Sequence, residues 1–369
     1  MRRRLRLLGR FFLSCLALLL LLIVVEAIAG WHCDLQGMIP APIPQPQDRK
    51  AAVSEITDYA RDEDDAYLSL PEWYIVWSYQ EKADFQKDHL PSGFPYFGAV
   101  KQYWQQYCCL SRAIHGKYGF NFGEQVMLVV LGTSFSGEYI LKGIYEKTVG
   151  RLSEWTSSQQ PTDEDLYAAQ MAKDYADFVL LRPFYEYHFA RHVVGLWTHT
   201  HLWGPHLLRK CERKAFLTLD YTVEAFYSWL IEKITHVSYG YESDRTYAWI
   251  DNANPSVLSQ IPQLKVVKQV GAHAFVVDAP RYHPFTPLAV QLSQQNARFI
   301  EIAGNSSITL SVLTTQPSSN DPAQKLFAMP VLTRPGWVRQ IVRCDVGSLA
   351  AFLNEAPKGG VVVEHIYDY

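Results

Sequence analysis

Arg298-Phe-Ile-Glu-Ile-Ala-Gly-Asn-Ser-Ser-Ile-Thr-Leu-Ser-Val-Leu-Thr-Thr315 holds two strand-like runs around a polar break. β-Branched residues crowd both sides, and Gly-Asn-Ser-Ser supplies turn residues between them. The stretch therefore predicts a hairpin of Arg298–Ala303 with Ile308–Thr315. Working outward, Pro284–Asn296 reads as a helix and Lys265–Asp278 as one strand or a bent hairpin. On the other side, Leu326–Leu332 and Arg339–Cys344 read as strands, Val346–Glu355 as a helix and Val361–Tyr367 as the last strand. The order β-α-β-β-(β)-β-α-β predicts a ferredoxin-like α+β sandwich over residues 260–369. No internal repeat stands out by eye.

Residues 51–250 have a different texture. Ser69-Leu-Pro-Glu72 looks like a helix start, with proline in the first turn and an acid at the positive dipole end. Helices are expected over Pro71–His89, Tyr96–His115, from about Asn121 to Trp155 (whole or broken), Thr162–Leu181, Pro183–His199 and Pro205–Ile234. The whole chain thus reads as α+β: an N-terminal transmembrane helix, an all-α helical domain, then the sandwich. The domain plan is 1–31 signal anchor, 32–50 proline-rich linker, 51–250 helical and 260–369 α+β.

The first ten residues carry five arginines and no acid, and Phe11–Val25 is unbroken apolar sequence. The run to Trp31 supplies the roughly 20 residues that a bilayer crossing needs. Basic flanks stay cytoplasmic, so the N-terminus is expected inside and the bulk exported. Ala27-Ile28-Ala29 also fits a signal-peptidase site. A single-pass membrane protein is expected, with the lipid bilayer engaged through residues 11–31.

Charged residues are 19% and hydrophobic ones 48%, which excludes a disordered chain. The net charge is −3, and the chain beyond the first ten residues carries −8, which argues against a nucleic-acid partner. Tyr, Trp and Phe make up 14%, enough to line a groove for rings, sugars or lipids as well as to pack a core. Six cysteines are scattered and export permits disulfides; Cys211 with Cys108 or Cys109 is one pairing considered.

Leu70-Pro-Glu-Trp-Tyr-Ile-Val-Trp77, Phe135-Ser-Gly-Glu-Tyr139 and Arg298-Phe-Ile-Glu-Ile-Ala-Gly-Asn305 together resemble a group of uncharacterised bacterial proteins with an N-terminal membrane segment. The resemblance implies an anchored, bacterial setting and carries no chemistry.

Five histidines fall between His188 and His206. His188 and His192 are four apart, one helical face, and His199 and His201 follow near Trp203-Gly-Pro205. His188, His192, His199 and His201 are therefore candidate ligands for a metal or haem, although no H-E-x-x-H spacing occurs. Gly132-Thr-Ser-Phe-Ser-Gly137 misses G-x-S-x-G by one residue, which leaves Ser134 and Ser136 as weak nucleophile candidates against a tight helix crossing. Glu72 with Glu81, or Glu138 with Glu146, are possible paired carboxylates. Arg209-Lys210 with Arg213-Lys214 reads as a basic helix face for acidic headgroups or solvent. Arg281-Tyr-His283 and His273 are expected to face one sheet surface, and His365 and Tyr367, alternating with Ile366, to line one face of the last strand. The function expected is an envelope-anchored binding or assembly module, with an envelope protein or small molecule as partner. The alternative is a metal-dependent enzyme built on the histidine cluster.

Overall fold

A computed structural model describes residues 46–61, 63–238, 244–315 and 323–368, with isolated positions between 17 and 39. The expected membrane segment, 11–31, thus lies largely outside the described residues. Among those described, no helix is long and apolar enough to cross a membrane. The helices are α1 (Gln47–Val53), α2 (Glu63–Gln86), α3 (Tyr96–Ile114), α4 (Phe122–Tyr145), α5 (Arg151–Thr156), α6 (Asp163–Val179), α7 (Phe189–His199), α8 (Leu207–Ser238), α9 (Pro255–Leu258), α10 (Phe285–Gln294) and α11 (Val346–Glu355). The strands are β1 (Arg245–Asp251), β2 (Lys265–Gln269), β3 (Phe275–Pro280), β4 (Arg298–Ile302), β5 (Ser307–Thr314), β6 (Gln324–Pro330), β7 (Val338–Asp345) and β8 (Val362–Tyr367).

The chain divides into two compact units. One is helical, Pro71–Cys109 with Phe122–Gly240; the other gathers Asp34–Leu70, Leu110–Asn121 and Tyr241–Tyr369 around the strands. The sheet unit therefore recruits two segments that sequence texture assigns to the linker and the helical domain.

In the helical unit, α4 continues through one π-helical turn, Glu146–Gly150, straight into α5. α6 starts where the Thr162 amide donates to Asp165 Oδ2 at 3.1 Å, an acid three residues in that satisfies an orphan donor at the positive dipole end. The stretch after Pro183 is not one helix. A 3-10 turn, Phe184–Glu186, precedes α7, and His188 is the residue before the first helical turn.

The sheet unit contains two four-stranded antiparallel sheets, ordered β2-β3-β1-β4 and β6-β7-β5-β8. This corrects the single ferredoxin-like sheet. It also corrects the opening hairpin, because β4 and β5 end in different sheets. Ala303 (φ 47°) and Gly304 (φ 74°) are both left-handed, and they turn the chain out of the first sheet instead of back along it.

The two sheets repeat one plan. Each is β-β-β-α-β, with the short α9 inserted between β1 and β2 of the first copy; the second and third strands form a hairpin, and the third and fourth, joined by the helix, are parallel and flank the first strand. The registers coincide pair for pair. Ala248 faces Val277 and Ile302, and Leu310 faces Val342 and Ile366. Trp249 faces Val276 and Glu301, and Ser311 faces Ile341 and His365. The bulges coincide as well. One falls between Val266 and Lys268 and its counterpart between Lys325 and Phe327, while Trp249/Ile250 corresponds to Ser311/Val312. Bulges re-aim strands and are built features, so two matched bulges in three matched ladders mark an internal duplication. In the connecting helices, Leu288-Ala289 and Leu292 correspond to Leu349-Ala350 and Leu353.

One core serves both copies. Leu288, Leu292, Leu349 and Leu353 pack with Phe299, Ile302, Leu310 and Ile366. The helix of the second copy, α11, packs on β4 of the first, and α10 touches β8 of the second. On the other face of the first sheet, Val53 and Tyr59 of the 46–61 segment cover Val276, beside Tyr247 and Trp249. Tyr59 donates to the fully buried Glu301 at 3.1 Å, and Arg61 donates to the Arg245 carbonyl at 2.8 Å.

Candidate functional site

Residues four apart share a helix face, and 138, 142 and 146 are such a row on α4 and its π turn. α8 runs antiparallel to α4 and answers with Arg209, Arg213, Asp220 and Glu224. The Lys142 ammonium lies 2.8 Å from Glu138, 3.1 Å from Asp220 and 3.3 Å from Glu224. One turn on, Tyr145 stacks on Phe216 at 3.8 Å and donates to Glu212. Arg213 donates to Glu146 Oε1 at 2.8 Å and faces Asp165 at 3.0 Å without hydrogen-bond geometry. Arg209, fully buried, binds Asp165 at 2.7 Å, Glu212 at 3.0 Å and the Ser153 hydroxyl at 2.7 Å. The π turn makes this possible. A Cβ on Gly150 would stand 2.5 Å from Glu146 Oε2, so the glycine clears space for the carboxylate. Such turns recur at functional sites.

Around Lys142 the protonation states are split. Burial pushes the Glu224 carboxyl up, neighbouring Glu138 and Asp220 push it further, and Lys142 only partly opposes them, giving a pKa of about 7. Burial also acts on Glu138, but Lys142 and Lys82 outweigh it and hold that carboxyl below its ordinary value. Lys82 is lowered by burial and by Lys142. Glu146 is raised by burial in spite of Arg213. Two carboxyls on one ammonium, driven apart by their surroundings, are the arrangement in which one can hold a proton while the other stays ionised.

These groups line a cavity of about 50 Å³ together with Tyr79, Tyr96, Tyr175 and Tyr221. Tyr79 donates to Glu138 Oε2 at 2.6 Å. Glu146 Oε2 and the Tyr221 hydroxyl are buried without a hydrogen-bond partner among the described residues. The volume suits a few waters or a very small ligand, well short of the several hundred Å³ of a drug-sized site. A second, roomier cleft of about 430 Å³ lies at the far end of the charge network, lined by Phe85, His89, Pro91, Trp155, Glu154 and Asp165 among others.

The sequence-predicted ligands do not gather. Among the described residues no three His, Cys, Asp or Glu side chains are grouped to hold a metal. His188 precedes α7, so it and His192 are not one turn apart on a helix. The His192 ring is engaged by the Tyr187 hydroxyl at 2.7 Å, Tyr167 at 3.4 Å and Arg191 at 3.1 Å. Burial and Arg191 lower its pKa. His199 Nδ1 meets the Gly195 carbonyl at 2.9 Å, and His201 offers its backbone carbonyl to Lys210. Ser136 is fully buried and accepts from Trp104 Nε1 at 2.9 Å, while a Cβ on Gly132 would overlap the Tyr103 ring. That is the tight crossing, with no exposed nucleophile at Ser136. The basic run is corrected: Arg209, Lys210, Arg213 and Lys214 are all buried, facing neither solvent nor headgroups. Cys109 is disulfide-bonded and Cys211 is a free thiol, so the pairing of those two does not form. Of the carboxylate pairs, Glu138 and Glu146 line the cavity and Glu72 and Glu81 do not. In the sheet unit, His365 meets Tyr367 at 4.7 Å, as strand alternation predicts, and His283, from the turn after β3, stacks on His365 at 6.3 Å.

Sequence reasoning missed Lys142, Asp220 and Glu224. The signal was present: α8 carries seven charges between 209 and 224, and five of them, Arg209, Lys210, Arg213, Asp220 and Glu224, recur at spacings on the side of Phe216 and Leu217. No known family profile, curated protein or solved structure matches the chain.

Proposed function

We propose that the protein is an exported, membrane-anchored binding module of the cell envelope, and that its helical unit receives a small polar ligand bearing hydrogen-bond donors and positive charge, of the amine or ammonium class. The observation that carries this is the cavity's unanswered acceptor. Glu146 Oε2 is buried without a hydrogen-bond partner among the described residues, beside the Lys142 cluster, where Glu138, Asp220 and Glu224 share one ammonium. A buried acceptor without a donor costs about 1–3 kcal/mol, more if charged, and a cationic donor ligand would recover it. The anchor reading rests on residues 11–31 and their arginine flank, and the Cys109 disulfide suits an oxidising, exported setting.

The test is calorimetric titration of the full chain in detergent with ammonium, methylamine and ethanolamine. Saturable heat that disappears in Glu146→Gln is the expected result. Absence of binding across the series, with the fold intact by circular dichroism, removes the reading.

A second reading has its own observation, the split between Glu224 and Glu138. A carboxyl titrating near pH 7 beside an ionised partner is equipped for general acid–base catalysis. It requires that Glu224→Gln abolish a turnover that binding survives.

A further inference from the structure

α8 is built inside out. Its charges from Arg209 to Glu224 all turn inward, where Arg209, Lys210, Arg213 and Lys214 are buried, and Glu212, Asp220 and Glu224 are ion-paired or hydrogen-bonded to partners inside the unit. Its outward face from Leu208 to Leu230 carries Cys211, Ala215, Thr218 and Thr222 between large apolar residues, and no charge. At about 1.5 Å per residue that face is roughly 33 Å long. Leu219, Val223 and Phe226 on it are 56–64% exposed. α4 does the same: Val130, Leu141 and Ile144 are 46–57% exposed, while Glu138 and Lys142 point in.

Both stripes fall on one side. On α4 the exposed row lies about 100° from the Glu138–Lys142 row, and on α8 about 80° from the Phe216–Asp220 row, in the same rotational sense. The helices are antiparallel, because Lys142 meets Asp220 and Glu224 while Ser153, farther along the chain, meets Arg209. Equal rotations on antiparallel helices point to the same side. Monomeric proteins rarely expose contiguous apolar patches beyond a few hundred Å². The opposite character appears on α6, whose surface carries Gln170–Asp174 and Lys173–Asp177 pairs.

We infer that the outward α4–α8 face of the helical unit rests on the acyl-chain and headgroup boundary of a lipid bilayer. Trp229, next along α8 on this face after Phe226, is 52% exposed, and tryptophan is the residue that favours that boundary, with an apolar ring and an N–H that can be wet. A one-sided apolar surface with a polar α6 suits a unit lying on the membrane. The inference rests on the anchor reading in one respect: an anchor at residues 11–31 would tether the chain to the bilayer on which this face would rest.

The full chain, reconstituted in phosphatidylcholine–phosphatidylglycerol vesicles with a phospholipid bearing a diazirine on its acyl chain, is irradiated and its peptides mapped. Adducts are expected on peptides covering 126–144 and 219–230 and absent from 170–177. The double change Leu219→Asp, Phe226→Asp should abolish the 219–230 adducts at unchanged helix content. Adducts confined to residues before 46 would leave the anchor standing and overturn this inference. No adducts anywhere would overturn both. Chain-to-chain photo-cross-links through Leu219 or Phe226, without lipid adducts, would assign the face to a second copy and overturn it.

Discussion

Arg213 holds Glu146 at 2.8 Å and Asp165 at 3.0 Å with only 1% of its surface exposed. Removing one member of a buried ion pair leaves an uncompensated charge and typically costs about 3–5 kcal/mol, whereas replacing the whole set by apolar groups can be neutral. Arg213→Met is therefore expected to lower unfolding free energy by about 3–5 kcal/mol in urea titration, and adding Glu146→Gln should recover part of it. Glu224 sets a pH dependence of definite sign. Its folded pKa, about 7, lies above the ordinary carboxylate value, so between about pH 4.5 and 7 the folded state holds a proton that the unfolded state has lost. Stability from this group is full below pH 4.5 and is lost as pH rises through 7. Urea midpoints at pH 5 and pH 7.5 should differ less in Glu224→Gln than in the parent chain. His192, with its lowered pKa, acts in the opposite direction on acidification below 6.5. At this scale the sequence was only partly legible. Paired carboxylates at 138 and 146 can be read from spacing, but the Arg213 that answers Glu146, and the Asp220 and Glu224 that share Lys142 with Glu138, come from a helix far along the chain.

α4, the π turn and α5 form one rod with a widened turn at Glu146–Gly150. Gly150→Ala pushes a Cβ against Glu146 Oε2, and either the turn narrows or the Glu146–Arg213 bond breaks. A loss of about 1–3 kcal/mol is expected in thermal or urea unfolding, in the range of overpacked core sites. Helix boundaries were largely readable. α3 and α6 begin where Tyr96 and Thr162 place them, and α8 starts two residues past Pro205. α2 starts eight residues before Pro71, because Tyr67, Leu68 and Leu70 are buried and outweigh the missing donor. The strand β1, Arg-Thr-Tyr-Ala-Trp-Ile-Asp, lies at the end of the 51–250 stretch whose texture reads as helical. Its alternating burial, with Thr246, Ala248 and Ile250 inward, emerges only against β3 and β4. Without β1 the remaining strands count toward one ferredoxin-like sheet, and with it they divide into two four-stranded sheets.

For the whole molecule, the duplication makes a mechanical prediction. α11 belongs to the second copy and packs on β4 of the first, so a cavity there damages both. Leu353→Ala, at a site 2% exposed, should cost about 2–5 kcal/mol, and hydrogen exchange should speed up in β4 and β8 together. Loss of protection in the second sheet alone would contradict a shared core. Topology has a separate check: alkaline phosphatase fused after Tyr369 should be active in a bacterium, since it matures only when exported. The duplication is hard to read from the sequence because, beyond Leu288-Ala289 and Leu292 against Leu349-Ala350 and Leu353, many matched positions share geometry rather than identity. Glu301 and His365 occupy the same register, and so do Trp249 and Ser311.

Ala303–Ser306, four residues between β4 and β5, is all that links the two copies. Two separate β-β-β-α-β chains of this size would have to find each other in solution, and their helices would stay exposed until they did. A linker this short replaces that encounter with an effective concentration of millimolar order or above. The sheet unit thus behaves as a dimer that dilution cannot dissociate, and its stability should be independent of protein concentration over any range in which the chain stays monomeric.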